Sequence, residues 1–191
     1  MANKDAKYLH WAALVLIALA GIWYIRRYLR AENNILVSES MVNANVQAFL
    51  KTLRFAEGTA GVNGYKTLFG GKLFNDFSKH PNVKGYFFNK AKNKQDYTTA
   101  AGAYQFIYPT WETLRKRLNL TDFSPASQDK GAIELIREKG ALEDVREGRF
   151  TTAVSKVRLI WASLPGAGYQ QPEKSLADLQ KVFRSNGGTI V

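Results

Sequence analysis

The chain has 191 residues, with 27 Lys and Arg against 16 Asp and Glu, a net charge of +11 at pH 7, two His and no Cys. Without Cys there are no disulfides, thiolate metal sites or cysteine nucleophiles, and with only His10 and His80 a His-built metal centre or a Ser–His–Asp triad has little support. The basic balance implies an anionic partner surface, which nucleic acid, a lipid headgroup layer or an acidic cell-wall polymer would each supply.

From Tyr8 to Ile25 no side chain is formally charged, and "WAALVLIALAGIWYI" forms its heart. About 18 residues of helix span roughly 27 Å, just enough for a hydrocarbon core. Lys7 on one side and Arg26, Arg27 and Arg30 on the other bracket the run, with Trp11, Trp23, Tyr24 and Tyr28 at interfacial positions. The segment predicts an N-terminal transmembrane anchor over residues 1–30, with residues 8–25 in a lipid membrane. A buried core helix and a cleaved signal are the alternatives, and the Arg pair is the wrong flank for a cleavage site. Without residues 1–30 there are 22 basic against 15 acidic side chains, a net of +7, so the remainder is basic on its own account.

Residues 31–41, "AENNILVSESM", read as a polar tether, and residues 42–191 as the main domain. There Val42, Val46, Phe49, Leu50, Leu53 and Phe55 or Ala56 recur at helical spacing, with Asn43 or Asn45 as cap and Gly58 as stop. From Ala60 to Thr99, glycines punctuate short aromatic runs, which predicts a loop-rich segment with one β-hairpin. Lys79, Lys84, Lys90, Lys92 and Lys94 fall here and read first as a solvated face; no nucleic-acid motif accompanies them.

Helices return in "YPTWETLRKRL", in "SPASQDKGAIELIREKG" with Ser124 as N-cap and Pro125 in the first turn, in "TTAVSKVRLIWASL" with Val154, Val157, Ile160, Trp161 and Leu164 on one side, and in "KSLADLQKVFRSNGG". The domain is therefore predicted to be α+β, mainly helical, with a small β lobe between its first and second helices.

Glu57 lies four, seven and eleven residues after Leu53, Leu50 and Val46, on the buried stripe of its own helix. Low-dielectric surroundings and the negative end of the helix dipole both disfavour its ionised form. A Glu held protonated near neutral pH suits a general acid that protonates a glycosidic oxygen. The plain alternative is a helix-end Glu bonded to the Thr59 hydroxyl or to a nearby Lys.

Five motifs then occur in order: "AEGT" at Ala56–Thr59, "FGGKLFNDFSKHP" at Phe69–Pro81, "AAGAYQF" at Ala100–Phe106, "DFSPASQD" at Asp122–Asp129 and "WASLPGAGYQQ" at Trp161–Gln171. Together, over about Val46 to Thr189, they resemble the lambda-type phage endolysins, lytic transglycosylases that cut bacterial peptidoglycan. The resemblance implies a lysozyme-like α+β fold, Glu57 as catalytic acid and base, Tyr104 and Gln105 as sugar-binding groups, and Ser163 and Tyr169 on the opposite wall. Three positions depart from the family pattern: Ala56 stands for Ser, Ala103 for the Arg of "GRYQ", and Lys79 for an Asp.

Ordinary glycosidases use two carboxylates. Asp76, Asp96 and Asp122 are candidates for the second, Asp122 reading better as a cap and Asp96 as a surface residue. The resemblance removes the need, because in a lytic transglycosylase the C6 hydroxyl of N-acetylmuramic acid attacks its own anomeric carbon. Tyr104, Tyr108, Trp111 and Tyr169 would pack on pyranose faces and Gln105 would read an N-acetyl group, with a core role the more natural one for Trp111 and Trp161. The expected activity is cleavage of the β-1,4 bond with a 1,6-anhydro end, in phage lysis or genome entry, without cofactor or metal and with no nucleic acid as partner. A hydrolytic muramidase and a non-catalytic wall-binding virion protein are the alternatives. The expected localisation is single-pass and membrane-anchored, in the host inner membrane or a phage internal membrane, with the catalytic domain facing the cell wall.

Overall fold

The computed structural model describes residues 18–32, 35, 36, 39, 43–89, 92–169 and 172–191. The chain divides into two units, Met1–Leu36 and Val37–Val191.

In the first unit, residues 18–32 are helical and exposed, and the Arg27 guanidinium lies 5.3 Å from the Trp23 ring centroid. Residues 8–17 of the expected membrane span lie outside the described residues. Among the described residues no helix is long and apolar enough to cross a membrane. In the described helix, residues 18–32, the apolar residues 18–25 run directly into Arg26, Arg27 and Arg30, whose charges a hydrocarbon core does not accommodate. The expected transmembrane helix, and with it the membrane-anchored localisation and the lipid partner, is corrected accordingly. Ala31, Glu32, Ile35, Leu36 and Glu39 of the expected tether are helical, its other residues lying outside the described set.

The second unit begins with helix α1, Ala44–Ala56, whose N-cap Asn43 accepts the amide of Val46 at 3.2 Å. Asn45 serves differently: its side chain donates to the Arg146 carbonyl and accepts the Thr189 amide, which pins the C-terminal segment to the start of α1. Val46, Phe49, Leu50, Leu53 and Ala56 are buried, as their spacing predicts.

A single 3-10 turn, Gly64–Lys66, leads to the hairpin of β1, Gly85–Asn89, and β2, Lys94–Thr98. The strands are antiparallel with Tyr86 opposite Tyr97 and Phe88 opposite Gln95. Period-two alternation sends Phe87 towards Phe69, ring centroids 5.8 Å apart, while Tyr86, Phe88 and Tyr97 stay exposed. Of the Lys run, Lys84 lies over the Tyr97 ring and Lys92 pairs with Asp96 at an exposed position.

Helices α2, Tyr108–Leu118, and α3, Pro125–Glu138, follow, each with Pro in its first turn. Ser124 caps α3 by accepting the Ser127 amide. Short helices α4, Leu142–Arg146, and α5, Phe150–Val157, precede α6, Leu176–Ser185. The sequence predicts one helix through Leu164, but α5 stops at Val157. Beyond it Ile160 bonds to Val157 and Leu164 to Trp161 in tight three-residue turns. Trp161 and Leu164 are buried nonetheless, at 3% and 0% exposure.

The core joins Phe49, Phe150 and Phe183, whose centroids lie 4.7–6.4 Å apart, to a second cluster around Trp111 and Phe123 at 4.6 Å. Such edge and tilted pairs add about 0.5–1.5 kcal/mol each beyond area burial. They fix α1 between α6 and the rest of the unit, and so fix where α1 ends.

Candidate active site

Helix α1 ends in two complementary carbonyl caps. The Gly58 amide donates to Phe55 at 3.2 Å and the Thr59 amide to Arg54 at 2.8 Å, with Gly58 at φ 72°. A side chain at Gly58 would be strained by that left-handed backbone. Glu57 is thereby the last right-handed residue, at φ −75°, its carboxylate aimed by the final turn and not by a flexible loop.

Glu57 is half-buried. Burial pushes its carboxyl above the ordinary value, and the hydrogen bond from Ser163 pulls partly back. The Ser163 hydroxyl donates to Oε1 at 2.5 Å, across 106 residues of sequence. The alternative partner is occupied elsewhere: the Thr59 hydroxyl lies 2.5 Å from the Ala103 carbonyl and 3.1 Å from that of Arg54. Gly64 is required beside it, because a Cβ there would run into the Thr59 carbonyl.

The structure brings Ser163 to Glu57, and it seats the other expected residues in different ways. Tyr104 is 1% exposed, so its ring has no face to offer a sugar; its hydroxyl donates to Asp129 at 2.6 Å. Its carbonyl accepts the indole N–H of Trp161 at 3.1 Å, which ties the Tyr104 turn to the segment carrying Ser163. Gln105 is half-buried at φ 48°, and its amide nitrogen donates to Gly102 and Thr67 carbonyls. Tyr169 is 51% exposed, its hydroxyl donating to the Leu159 carbonyl. Tyr108 is half-buried, and Trp111 is fully buried in the core.

None of the three alternative carboxylates shares a hydrogen bond with Glu57. Asp76 accepts the Ser78 amide, Asp96 is held by Lys92, Asn89 and the Tyr97 amide, and Asp122 accepts from Ser124 and Ser127 at the start of α3. These bonds hold all three carboxyls below the ordinary value, so they are ionised at neutral pH. Among the described residues no cluster of three or more His, Cys, Asp or Glu is placed to hold a metal.

Sequence reasoning missed Asp129 and Gln128. Asp129 is half-buried and one of its oxygens accepts both the Tyr104 and the Tyr65 hydroxyls. Gln128 is fully buried, accepting the Ala103 amide and donating to the Tyr65 and Phe123 carbonyls. The signal was present: Asp129 lies three, four and seven residues before Ala132, Ile133 and Ile136, on the buried stripe of α3, as Glu57 lies on that of α1.

A cavity of about 500 Å³ lies elsewhere, lined by Lys79, His80, Asn82, Tyr108 and Arg115 among others, and one of about 260 Å³ lies beside Arg54, Phe55 and Val182. Neither includes Glu57. Buried His80 is satisfied, Nδ1 accepting the Asn82 amide and Nε2 donating to the Phe106 carbonyl. The raised carboxyl with its hydroxyl donor marks the candidate site.

Residues 47–190 match the Endolysin family. The endolysin of Escherichia phage P2 is 46% identical over 154 residues, covering 75% of this chain and 93% of the relative. The endolysin of Escherichia phage lambda is 40% identical over 155 residues, covering 78% and 95%. Among solved structures, bacteriophage lambda lysozyme complexed with a chitohexasaccharide superposes with a TM-score of 0.72 at 38% identity, over 78% of this chain and 98% of that one. A second structure of lambda lysozyme gives 0.68. The α+β domain is therefore lysozyme-like, and the chain belongs to the endolysin family of peptidoglycan-degrading enzymes.

Proposed function

We propose that the chain cleaves the β-1,4 bond between N-acetylmuramic acid and N-acetylglucosamine as a lytic transglycosylase, with Glu57 as both acid and base. The observation that carries this reading is a raised carboxyl at the end of a rigid helix, held by the Ser163 hydroxyl and sharing no hydrogen bond with a second carboxylate among the described residues. Protonated Glu57 gives its proton to the glycosidic oxygen as the bond from that oxygen to the anomeric carbon breaks. The C6 hydroxyl of the same muramic residue then bonds to that carbon, and the Glu57 carboxylate takes the hydroxyl proton. The ring closes, the acid is regenerated and no water is consumed.

Two features support the scheme. An intramolecular hydroxyl acts at high effective molarity, which takes several kcal/mol off a bimolecular barrier. A carboxyl pushed upward by burial starts the cycle protonated and ends it as a carboxylate basic enough to accept a proton. In this reading exposed Tyr169 packs against a pyranose, Gln105 presents its amide oxygen, Ser163 steers the Glu57 proton, and Tyr104 supports the site from beneath.

Digestion of purified sacculi followed by mass spectrometry of the fragments tests the reaction. The expected products are anhydro ends, one water lighter than reducing ends; reducing ends alone would assign a hydrolytic muramidase instead. The related lysozyme bound to a chitohexasaccharide favours an aminosugar polymer as substrate under either outcome.

A further inference from the structure

Besides Glu57 this unit holds a second half-buried carboxylate on the apolar stripe of a helix, Asp129, which the reaction as proposed does not use. Asp129 sits at the first turns of α3, where a single oxygen accepts Tyr65 at 2.8 Å and Tyr104 at 2.6 Å. The two phenol rings meet edge to face, with centroids 6.5 Å apart. The Arg54 guanidinium covers the other side of this cluster, 4.5 Å from the Tyr65 centroid. It also reaches towards the carbonyls of Thr59 at 3.5 Å and Gly61 at 3.4 Å. The groups facing Asp129 are thus Tyr65 from the 3-10 turn, Tyr104 from the turn before α2 and Arg54 from α1.

Each branch of this cluster ends at the candidate site. On one side, Arg54 lies three residues before Glu57, and its guanidinium donates towards the Thr59 and Gly61 carbonyls just past the turn on which Glu57 stands, while its backbone carbonyl accepts the Thr59 amide. On the other, the Tyr104 carbonyl accepts the Trp161 indole N–H, and Trp161 leads within two residues to Ser163. Ser163 closes the circuit on Glu57 at 2.5 Å. A carboxylate that receives both phenols ties the two branches together, and the Ser163–Glu57 hydrogen bond is the contact that spans them.

We propose that Asp129 is a positioning residue for the Glu57–Ser163 pair, acting through Tyr104 and Trp161 on the serine and through Tyr65 and Arg54 on the end of α1. The proposal rests on the reading of Glu57 as the catalytic acid. A misplacement of the order of 1 Å at a proton-transfer pair costs about 100-fold in rate. A purely structural role predicts lost stability alone; a positioning role predicts a change in how Glu57 titrates.

The experiment measures sacculus digestion by the full chain across pH for the parent, Asp129→Asn, Tyr104→Phe, Ser163→Ala, the Asp129→Asn/Ser163→Ala pair and Glu57→Gln, with thermal melting alongside. Asp129→Asn is expected to lower kcat about 10- to 100-fold with KM little changed. It should also move the pH limb of Glu57 upward, because a loosened Ser163 no longer draws that carboxyl down. In the Ser163→Ala background the same substitution should move the limb no further. Should Asp129→Asn fail to fold, Tyr104→Phe keeps the ring, removes one donor and carries the same expectation at smaller size. Parent kcat and an unmoved limb in the folded variants would overturn the proposal. If Glu57→Gln digests at the parent rate, the reading of the site falls and the proposal with it. If Glu57→Gln is inactive while Asp129→Asn matches the parent, the positioning role alone is lost.

Discussion

The end of α1 and the start of α3 pose the same problem and solve it oppositely. Each places a carboxylate on the apolar stripe of its helix, and burial pushes both carboxyls upward. At the start of α3 the charge is surrounded: two phenols donate to Asp129, Arg54 lies nearby, and the adjacent Gln128 satisfies three backbone groups. At the end of α1 Glu57 has one hydroxyl donor and remains half-exposed. A buried acid held by two phenols at one oxygen, with a guanidinium nearby, is fixed in place. One with a single mobile proton donor and an open side can exchange a proton with a substrate.

The largest expected effect breaks this asymmetry at its reactive side. Glu57→Gln keeps shape and burial but cannot release a proton, so it should lower the rate of sacculus digestion at least 100- to 10,000-fold, the usual contribution of a positioned acid. Turbidity loss of sacculi, followed at matched concentrations of folded protein, checks it. A parent-like rate would make the wall-binding alternative the better reading.

The structural side should respond in stability. Gln128→Ala leaves the Ala103 amide and the Tyr65 and Phe123 carbonyls without their partner in a site with no exposure. Orphaned buried groups cost about 1–3 kcal/mol each, and partial relaxation brings the expected loss to about 3 kcal/mol. Denaturant unfolding measures it, and a change within about 0.5 kcal/mol, typical of a surface substitution, would show the amide to be dispensable.

How much of this contrast was legible in the sequence depends on what holds each residue. Glu57 could be placed because its surroundings are local: the apolar stripe of α1 and the Gly58 stop lie within a dozen residues. Ser163 could not be placed by periodicity, since its bond to Glu57 spans 106 residues and α5 ends six residues earlier in tight turns; only the family resemblance pointed to it. Tyr104 was legible as part of a motif, but its burial follows from the turn at Gly102 and Gln105, both at positive φ, which tucks the ring under Asp129. Asp129 was passed over although its own stripe announces it. The N-terminal expectation rested on side-chain hydropathy over residues 8–25, whereas among the described residues no helix is long and apolar enough to cross a membrane.

Ser163→Ala sharpens the comparison by leaving the Glu57 carboxyl without its donor. That hydrogen bond draws the carboxyl down against burial, so its loss should raise the pH at which Glu57 ionises. The kcat limb reporting Glu57 then moves to higher pH, and the rate at neutral pH falls about 10-fold as the proton loses its guide. A pH profile superimposable on the parent's would mean that the short contact does not govern proton transfer.

The smallest expected effect concerns stability, and its sign follows from linkage. Glu57 has a folded-state pKa above its unfolded value near 4.5, so between the two values the native state binds more protons than the unfolded one. Stability therefore declines as pH rises from about the unfolded pKa through the folded one, and stays reduced above it. Gln at this position carries no titrating proton and escapes that decline. Glu57→Gln should melt higher than the parent at pH 7, with the difference shrinking as pH falls and levelling off well below the unfolded value, where both carry a neutral side chain. Asp76, Asp96 and Asp122 have the opposite sign, because hydrogen bonds hold them below their ordinary values and their ionised forms favour the native state. Melting curves of parent and variant across that range isolate the Glu57 contribution, since the other carboxylates cancel in the difference. A parent that gains stability relative to Glu57→Gln as pH rises would show that the folded state prefers Glu57 ionised, and a carboxylate so favoured could not begin the reaction as its acid.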